Sequence, residues 1–107
     1  MALTRDFRET IRERAQHEPA FRQALLREGI ELMTSGDFHT GRAILRNYIN
    51  ATIGFIELAR TTRISSPSLQ RMFGPKGNPS AANLFGVIAA LQKAEQVNVE
   101  LRLHPAT

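Results

Sequence analysis

Five basic side chains in the second half of the chain could bind phosphate groups. They lie in a stretch without any acidic residue and are Arg60, Arg63, Arg71, Lys76 and Lys93. Before residue 58, by contrast, eight basic residues are matched by eight acidic ones. An uneven charge distribution of this kind favours a partner that bears phosphates. The alternative is an ordinary solvated face, because five charges in thirty-four residues are not dense.

The apolar pattern of residues 54–74 predicts two short helices that would position these charges. Apolar residues stand three to four apart in each, so each set shares one helical face. They are Phe55, Leu58 and Ala59 in the first helix and Leu69, Met72 and Phe73 in the second. Ile64 would fill the corner between the helices. The pattern is that of a helix-turn-helix, whose second helix can enter a DNA major groove. The alternative is an ordinary corner between two helices.

The tight turn departs from the usual form of this motif. Arg63 stands where glycine is common, because the backbone there favours positive φ. An arginine can adopt that conformation at a cost of about 1 kcal/mol. This departure counts against the helix-turn-helix interpretation without removing it, and favours the alternative of a helical adaptor that does not bind DNA.

Length and composition limit the class of protein. A chain of 107 residues with net charge +4 is one domain that can bury a core without metal or disulfide support. It contains no cysteine, which excludes disulfides, thiolate zinc ligands and thiol nucleophiles. No apolar run approaches the ~20 residues of a membrane span. The start, MALTRDFRETIRER, is charged where a secretory signal is apolar. We expect one cytoplasmic domain.

The titratable residues form no pattern typical of catalysis. The three histidines, His17, His39 and His104, lack a carboxylate or a second histidine at metal-ligand spacing. Glu28 and Glu31 have arginine neighbours, which is typical of surface ion pairs. We expect no enzymatic activity, no cofactor and no metal site.

The first half of the chain predicts a scaffold of three helices. Apolar residues recur there at helical spacing, and capping residues separate the segments. The first helix is expected over roughly 4–16 with Thr4 as cap, the second from Pro19 to Ser35–Gly36, and the third from Asp37 or Thr40 to near Thr52–Gly54. Gly29, in the middle of the second helix, indicates close packing of another helix.

Residues 74–80, GPKGNPS, predict a turn-rich loop followed by a helix. Ser80 is the expected cap of that helix, and Gly86 within it indicates a close helix crossing. Five of its residues are expected to point largely inward: Leu84, Phe85, Val87, Ile88 and Leu91. Lys76 is a candidate phosphate ligand, assisted by backbone N–H groups near Gly77 and Ser80. The alternative is a connector with an incidental lysine.

The end of the chain changes period and predicts a β-strand. Val97, Val99, Leu101 and Leu103 alternate with polar residues. A lone strand leaves its backbone groups without a sheet, and an exposed edge favours pairing with another chain. The strand could pair with its equivalent in a second copy, giving a two-fold dimer, or join a partner's sheet. The remaining alternative is a frayed tail lying across its own core.

Residues 55–103 resemble the HigA-type addiction-module antitoxins and related phage-repressor-like regulators of the Cro/repressor (XRE-type) class. The matching run is IELARTTRISSPSLQRMFGPKGNP, with the Leu-Ala pair of the first helix, the serine-led second helix and the turn ending Gly-Asn-Pro. The preceding RNYINATIGF is similar to the lead-in of these small regulators. The resemblance covers about half of the chain, and the first forty residues are outside it.

The resemblance implies a DNA-reading role for the second helix, from Ser66 to Phe73. Its groove-facing residues would be Ser66, Ser68, Gln70 and Arg71, with Ser65 at the entrance and one of the first two serines serving as cap. Arginine can donate to O6 and N7 of guanine, glutamine can pair with adenine, and serine hydroxyls reach bases or phosphates. Pro67 departs from the long polar residue common at its position, so we expect less detailed sequence readout.

Together the residues and the resemblance predict an all-α, lambda-repressor-like fold of five to six helices with extra N-terminal helices and one C-terminal β-strand. Its single domain, 1–107, divides into a scaffold (1–53), the helix-turn-helix with the next helix (54–95), and the strand and tail (96–107). The implied function is a dimeric, sequence-specific DNA-binding transcriptional regulator that represses, with double-stranded DNA as partner. A toxin protein is a second partner if the chain is the antitoxin of a toxin–antitoxin pair. The alternative is a helical protein–protein adaptor that keeps the fold without binding DNA.

Overall fold

The structure, a computed structural model, describes residues 5–106, and within this range the chain forms six helices and no β-strand. The helices are α1 (Arg5–His17), α2 (Pro19–Thr34), α3 (Phe38–Ala51), α4 (Phe55–Thr62), α5 (Ser66–Met72) and α6 (Ala81–Glu95). The predicted all-α class is confirmed. None of these helices is long and apolar enough to cross a membrane.

Local capping chemistry sets most of the helix ends. Asp37 accepts a hydrogen bond from the Thr40 amide at 3.2 Å and begins α3, as one of the two predicted caps. Pro19 begins α2, and Gly36, with φ of 100°, follows its C-cap Ser35. Thr4, the predicted cap of α1, lies outside the described residues. Sequence-local interactions therefore divide the first half of the chain as predicted.

Helices α2 and α3 approach each other through two glycines. A Cβ added at Gly29 would stand 2.7 Å from Leu45 Cδ2, and one added at Gly41 would stand 2.7 Å from the carbonyl oxygen of Gly29. The absence of both side chains lets the two backbones come close. The close packing predicted at Gly29 is confirmed, and Gly41 is its partner.

One apolar core joins the five helices α2–α6. Its buried residues come from every one of these helices and are Leu26, Ile30, Leu45, Tyr48, Ile49, Phe55, Leu58, Leu69, Met72, Phe73, Val87, Ile88 and Leu91. The rings of Phe55 and Phe73 lie 6.3 Å apart and connect α4 to the end of α5. The scaffold and the α4–α5 pair therefore share one core, and the position of α5 depends on both.

The prediction of a C-terminal β-strand is wrong, because the described residues contain no strand. Gln96 ends α6 in a left-handed conformation, and residues 97–106 continue without regular structure. Val97 packs partly against the core, whereas Leu101 and Leu103 are 83% and 98% exposed. A strand is stable only beside another strand, and residues 5–106 provide none. Without this strand, the structure gives no support to a dimer formed by strand pairing.

The inward face predicted for α6 is confirmed for Val87, Ile88 and Leu91, which are buried, and for Leu84, which is partly buried, but not for Phe85. Phe85 is 62% exposed, although it was expected to point inward with its apolar neighbours. A Cβ added at Gly86 would meet no heavy atom of residues 5–106 within 4 Å, so the close helix crossing predicted there is wrong for the described helices. Five apolar residues in eight cover more than one helical face, and only packing decides which face is buried.

A buried hydrogen-bond network ties α6 to the scaffold. The Tyr48 hydroxyl donates to Glu95 Oε1 at 2.5 Å, and Arg22 Nε donates to Glu95 Oε2 at 2.6 Å. The Glu95 side chain is only 3% exposed, so the carboxylate relies on these two donors. Burial first, and the hydrogen bond to the Glu95 carboxylate second, raise the pKa of Tyr48 above its ordinary value.

This raised pKa predicts a loss of stability at high pH. An unfolded tyrosine loses its proton near pH ~10, whereas folded Tyr48 keeps it. Above pH ~10 the unfolded state therefore binds fewer protons than the folded state. The contribution of Tyr48 to the free energy of unfolding is intact below pH ~10 and falls above it by about 1.4 kcal/mol per pH unit. Tyr48 is the only tyrosine and the chain has no tryptophan, so phenolate absorbance reports this group alone.

Urea denaturation of wild type and Tyr48→Phe from neutral to alkaline pH measures the effect. We expect the free energy of unfolding to fall more steeply with pH in the wild type. If the free energy of unfolding changed equally with pH in the two proteins, the stability effect predicted for Tyr48 would be contradicted.

Candidate nucleic-acid interface

The turn between α4 and α5 has the geometry that the motif requires. Arg63 follows Thr62 with φ of 62° and ψ of 21°, which is the left-handed region, and its N–H donates to the Ala59 carbonyl at 2.8 Å. Ile64 is partly buried against the core. Arg63 thus adopts the left-handed conformation that glycine usually supplies at this turn, and three residues, 63–65, connect the two helices.

Ser65 is the cap of α5, which settles which of the two serines has this role. Its hydroxyl oxygen accepts from the Ser68 amide at 3.2 Å and lies 2.8 Å from Ser68 Oγ. Ser66 is the first helical residue, and Gln70 Nε2 donates to its hydroxyl at 3.3 Å. The Ser65 hydroxyl is therefore occupied within the helix end, and Ser66 lies at the start of the exposed face.

Helix α5 has one buried and one exposed face. Leu69 and Met72 are buried, with Phe73 just beyond the helix, and Gln70 and Arg71 are exposed. At about 100° per residue, the exposed arc runs from Ser66 through Gln70 and Pro67 to Arg71. Ser68 stands at the edge of this arc, where its hydroxyl accepts from an Arg71 guanidinium nitrogen at 3.1 Å. The structure thus brings four of the predicted groove-facing residues to one surface.

Three cations near this surface have no carboxylate partner. Arg60 is paired with Glu57 at 2.8 Å, whereas Arg63, Arg71 and Lys76 are exposed and form no ion pair with the described residues. No acidic residue occurs between residues 58 and 94. Unneutralised cations around an exposed polar helix face suit contact with a phosphate backbone.

The loop 74–80 packs directly on the end of α5. A Cβ added at Gly77 would overlap the carbonyl oxygens of Arg71 and Met72, so only glycine fits there. The Gly77 amide donates to the Gly74 carbonyl at 3.0 Å, and Ser80 caps α6 by accepting from Asn83. The Gly77 amide, predicted to assist a phosphate, is thus already bonded, and Lys76 remains as the exposed cation of the loop.

Arg42 is a residue of this region that the sequence analysis missed. It lies on α3 and is 6% exposed. Its guanidinium donates to the carbonyl oxygens of Pro75 and Gly77, both at 3.1 Å, and lies 3.1 Å from His39 Nδ1. Arg42 stands three residues before Leu45 on the apolar face of α3, and a cation in such a position indicates a buried partner. Nothing in the sequence shows that the partner is a loop more than thirty residues away.

The described residues offer no competing metal site, since no three of their histidine, aspartate and glutamate side chains group together. A cavity of about 340 Å³ lies between the scaffold and α6, beside the Tyr48–Glu95–Arg22 network. Its main polar groups are already paired with one another.

Comparisons of the chain with protein-family models, curated proteins and solved structures gave no match. The resemblance to the HigA-type and phage-repressor-like regulators therefore stays a prediction from the residues quoted for it.

Proposed function

We propose that this protein is a double-stranded DNA-binding transcriptional regulator that places α5 in the major groove. The observation that supports the proposal most is the exposed face of α5, with Gln70 and Arg71 opposite the buried Leu69 and Met72. Arginine and glutamine are the side chains best suited to bidentate contacts with guanine and adenine.

The surroundings of α5 support the same proposal. The unpaired cations Arg63 and Lys76 would contact phosphates on either side of the base-reading Arg71, and phosphate contacts fix the register of a reading helix. Repression, including the version in which the chain is an antitoxin with a toxin partner, follows from the resemblance. Residues 97–106 form no strand, so they do not support pairing of two copies through a C-terminal strand.

Arg71→Ala is expected to weaken binding to a duplex from the region upstream of the protein's own gene. Loss of a bidentate base contact costs about 1–3 kcal/mol, or about 5- to 150-fold in affinity. The measurement is an anisotropy titration at two salt concentrations. Arg27→Ala is the matched control, because Arg27 is also exposed but lies on α2 in a 3.8 Å pair with Glu31.

The same titration separates the second candidate, a helical adaptor that binds proteins. The exposed apolar side chains Ile56 and Phe85, 75% and 62% exposed, favour that function. An adaptor would show no salt-dependent binding to any duplex, because it would release no counterions. Equal affinities of Arg71→Ala and Arg27→Ala would also count against the proposed role of α5.

A further inference from the structure

The loop that contains Lys76 is fixed from two sides. On one side, Arg42 donates to the carbonyl oxygens of Pro75 and Gly77, the residues immediately before and after Lys76. On the other side, the Gly77 backbone packs on the carbonyl oxygens of Arg71 and Met72. The backbone of Lys76 is therefore fixed relative to the last turn of α5, where Arg71 lies.

Arg42 cannot serve as a phosphate ligand itself. It is 6% exposed, and its guanidinium is occupied by two carbonyls and the His39 ring. It also lies 5.4 Å from the centre of the Phe38 ring, which covers it further. The Arg42 guanidinium thus binds the loop backbone, whereas the side chain of the neighbouring Lys76 is exposed and available to a ligand.

We propose that Arg42 is a positioning residue for DNA binding: it holds Lys76 so that Lys76 contacts the phosphate backbone of the duplex that α5 reads. A long lysine side chain loses rotamer freedom when it binds, and a mobile loop would add its own ordering entropy to that cost. Because the two hydrogen bonds from Arg42 already order the loop in the free protein, DNA binding does not have to supply the ordering entropy of the loop. The inference rests on the proposed function and adds a residue that does not touch the DNA.

The test is a double-mutant cycle between Arg42 and Lys76 on a random-sequence duplex. Arg42→Met, Lys76→Ala and the double variant are titrated across salt concentrations. Lys76→Ala should reduce the magnitude of the salt slope by about 0.9, the value for one phosphate contact. Arg42→Met should reduce it by a similar amount, and the double variant should lose no more than either single variant.

Arg46→Met is the matched control, because Arg46 lies one turn further along α3 and is exposed, whereas the hydrogen bonds to the loop come from Arg42. It removes the same charge and should keep the wild-type slope. Arg42→Lys keeps the charge but has fewer hydrogen-bond donors, so it should restore part of the affinity that Arg42→Met loses. This variant keeps the test informative if Arg42→Met folds poorly. Hydrogen exchange of the Gly77 amide without DNA should be faster in either Arg42 variant.

Several results would overturn the inference. These are additive effects in the double variant, equal slopes for Arg42→Met and Arg46→Met, or unchanged exchange at Gly77. In each case wild-type protein would still bind duplex with a salt slope, so the proposed function would stand. Absence of salt-dependent binding by wild type would instead remove the proposed function, and this inference with it.

Discussion

Gly41→Ala is expected to destabilise the protein by about 2–3 kcal/mol, the upper part of the range of about 1–3 kcal/mol for forcing an extra methyl group into a packed interior. The added Cβ would stand 2.7 Å from the Gly29 carbonyl oxygen and 3.1 Å from the Met33 amide nitrogen. Both are backbone atoms of α2, so the helices must separate to relieve the overlap. Separation would loosen the core around Leu45, which is fully buried between α2 and the rest of the fold.

Gly86→Ala is the matched control and should have the opposite sign. Gly86 is also inside a helix, but a Cβ there would meet no heavy atom within 4 Å. Alanine should therefore stabilise α6 by about 0.5–1 kcal/mol through its higher helix propensity. Chemical denaturation of the three proteins measures both effects. A Gly41→Ala variant as stable as wild type would show that α2 and α3 do not approach as closely as described.

Glu95→Gln is the second substitution with a large expected effect, a loss of about 2–4 kcal/mol. The carboxylate is 3% exposed and accepts from both Tyr48 and Arg22. An amide can present only one oxygen, so one donor would face the Gln –NH₂ group and Arg22 would lose its counter-charge. Loss of one acceptor oxygen leaves the buried Tyr48 hydroxyl or Arg22 Nε facing an amide, and an unmet donor beside a buried group is the costly case. Arg22 is 27% exposed and also donates to the Ala15 carbonyl, which keeps the loss below that of a fully buried ion pair.

Glu57→Gln provides the comparison, because it breaks an ion pair of similar length at the surface. Glu57 and Arg60 are 2.8 Å apart with side chains 52% and 73% exposed, and exposed pairs of this kind contribute about 0–1 kcal/mol. Thermal unfolding of both variants measures the difference. If Glu95→Gln cost no more than Glu57→Gln, the network between α6 and the scaffold would not be important for stability.

The features predicted correctly from sequence are those fixed by near neighbours in the chain. Asp37 and Ser80 begin helices because each can accept from an amide three residues on. Arg63 ends α4 in the left-handed conformation, with its N–H bonded to the carbonyl of Ala59, four residues before it. Period and capping chemistry are local, so the sequence contains them.

The features predicted wrongly, or missed as Arg42 was, depend on distant parts of the chain. The alternation of Val97, Val99, Leu101 and Leu103 fits a strand, but the described residues supply no neighbouring strand to pair with it. The direction of Phe85 depends on which face of α6 the scaffold covers. Arg42 has a recognisable position on an apolar helix face, but its carbonyl partners follow from the fold alone.

The most direct test of the central claim is an NMR titration of the isotopically labelled full chain with a duplex from the region upstream of its own gene. DNA binding through α5 predicts amide shift changes concentrated in residues 65–71 and at Lys76, with the solvent-facing amides of α2 unchanged. The changes should weaken as salt is raised, because phosphate contacts release counterions. Shifts centred on α1, α2 or the tail, or no shifts at all, would contradict the claim.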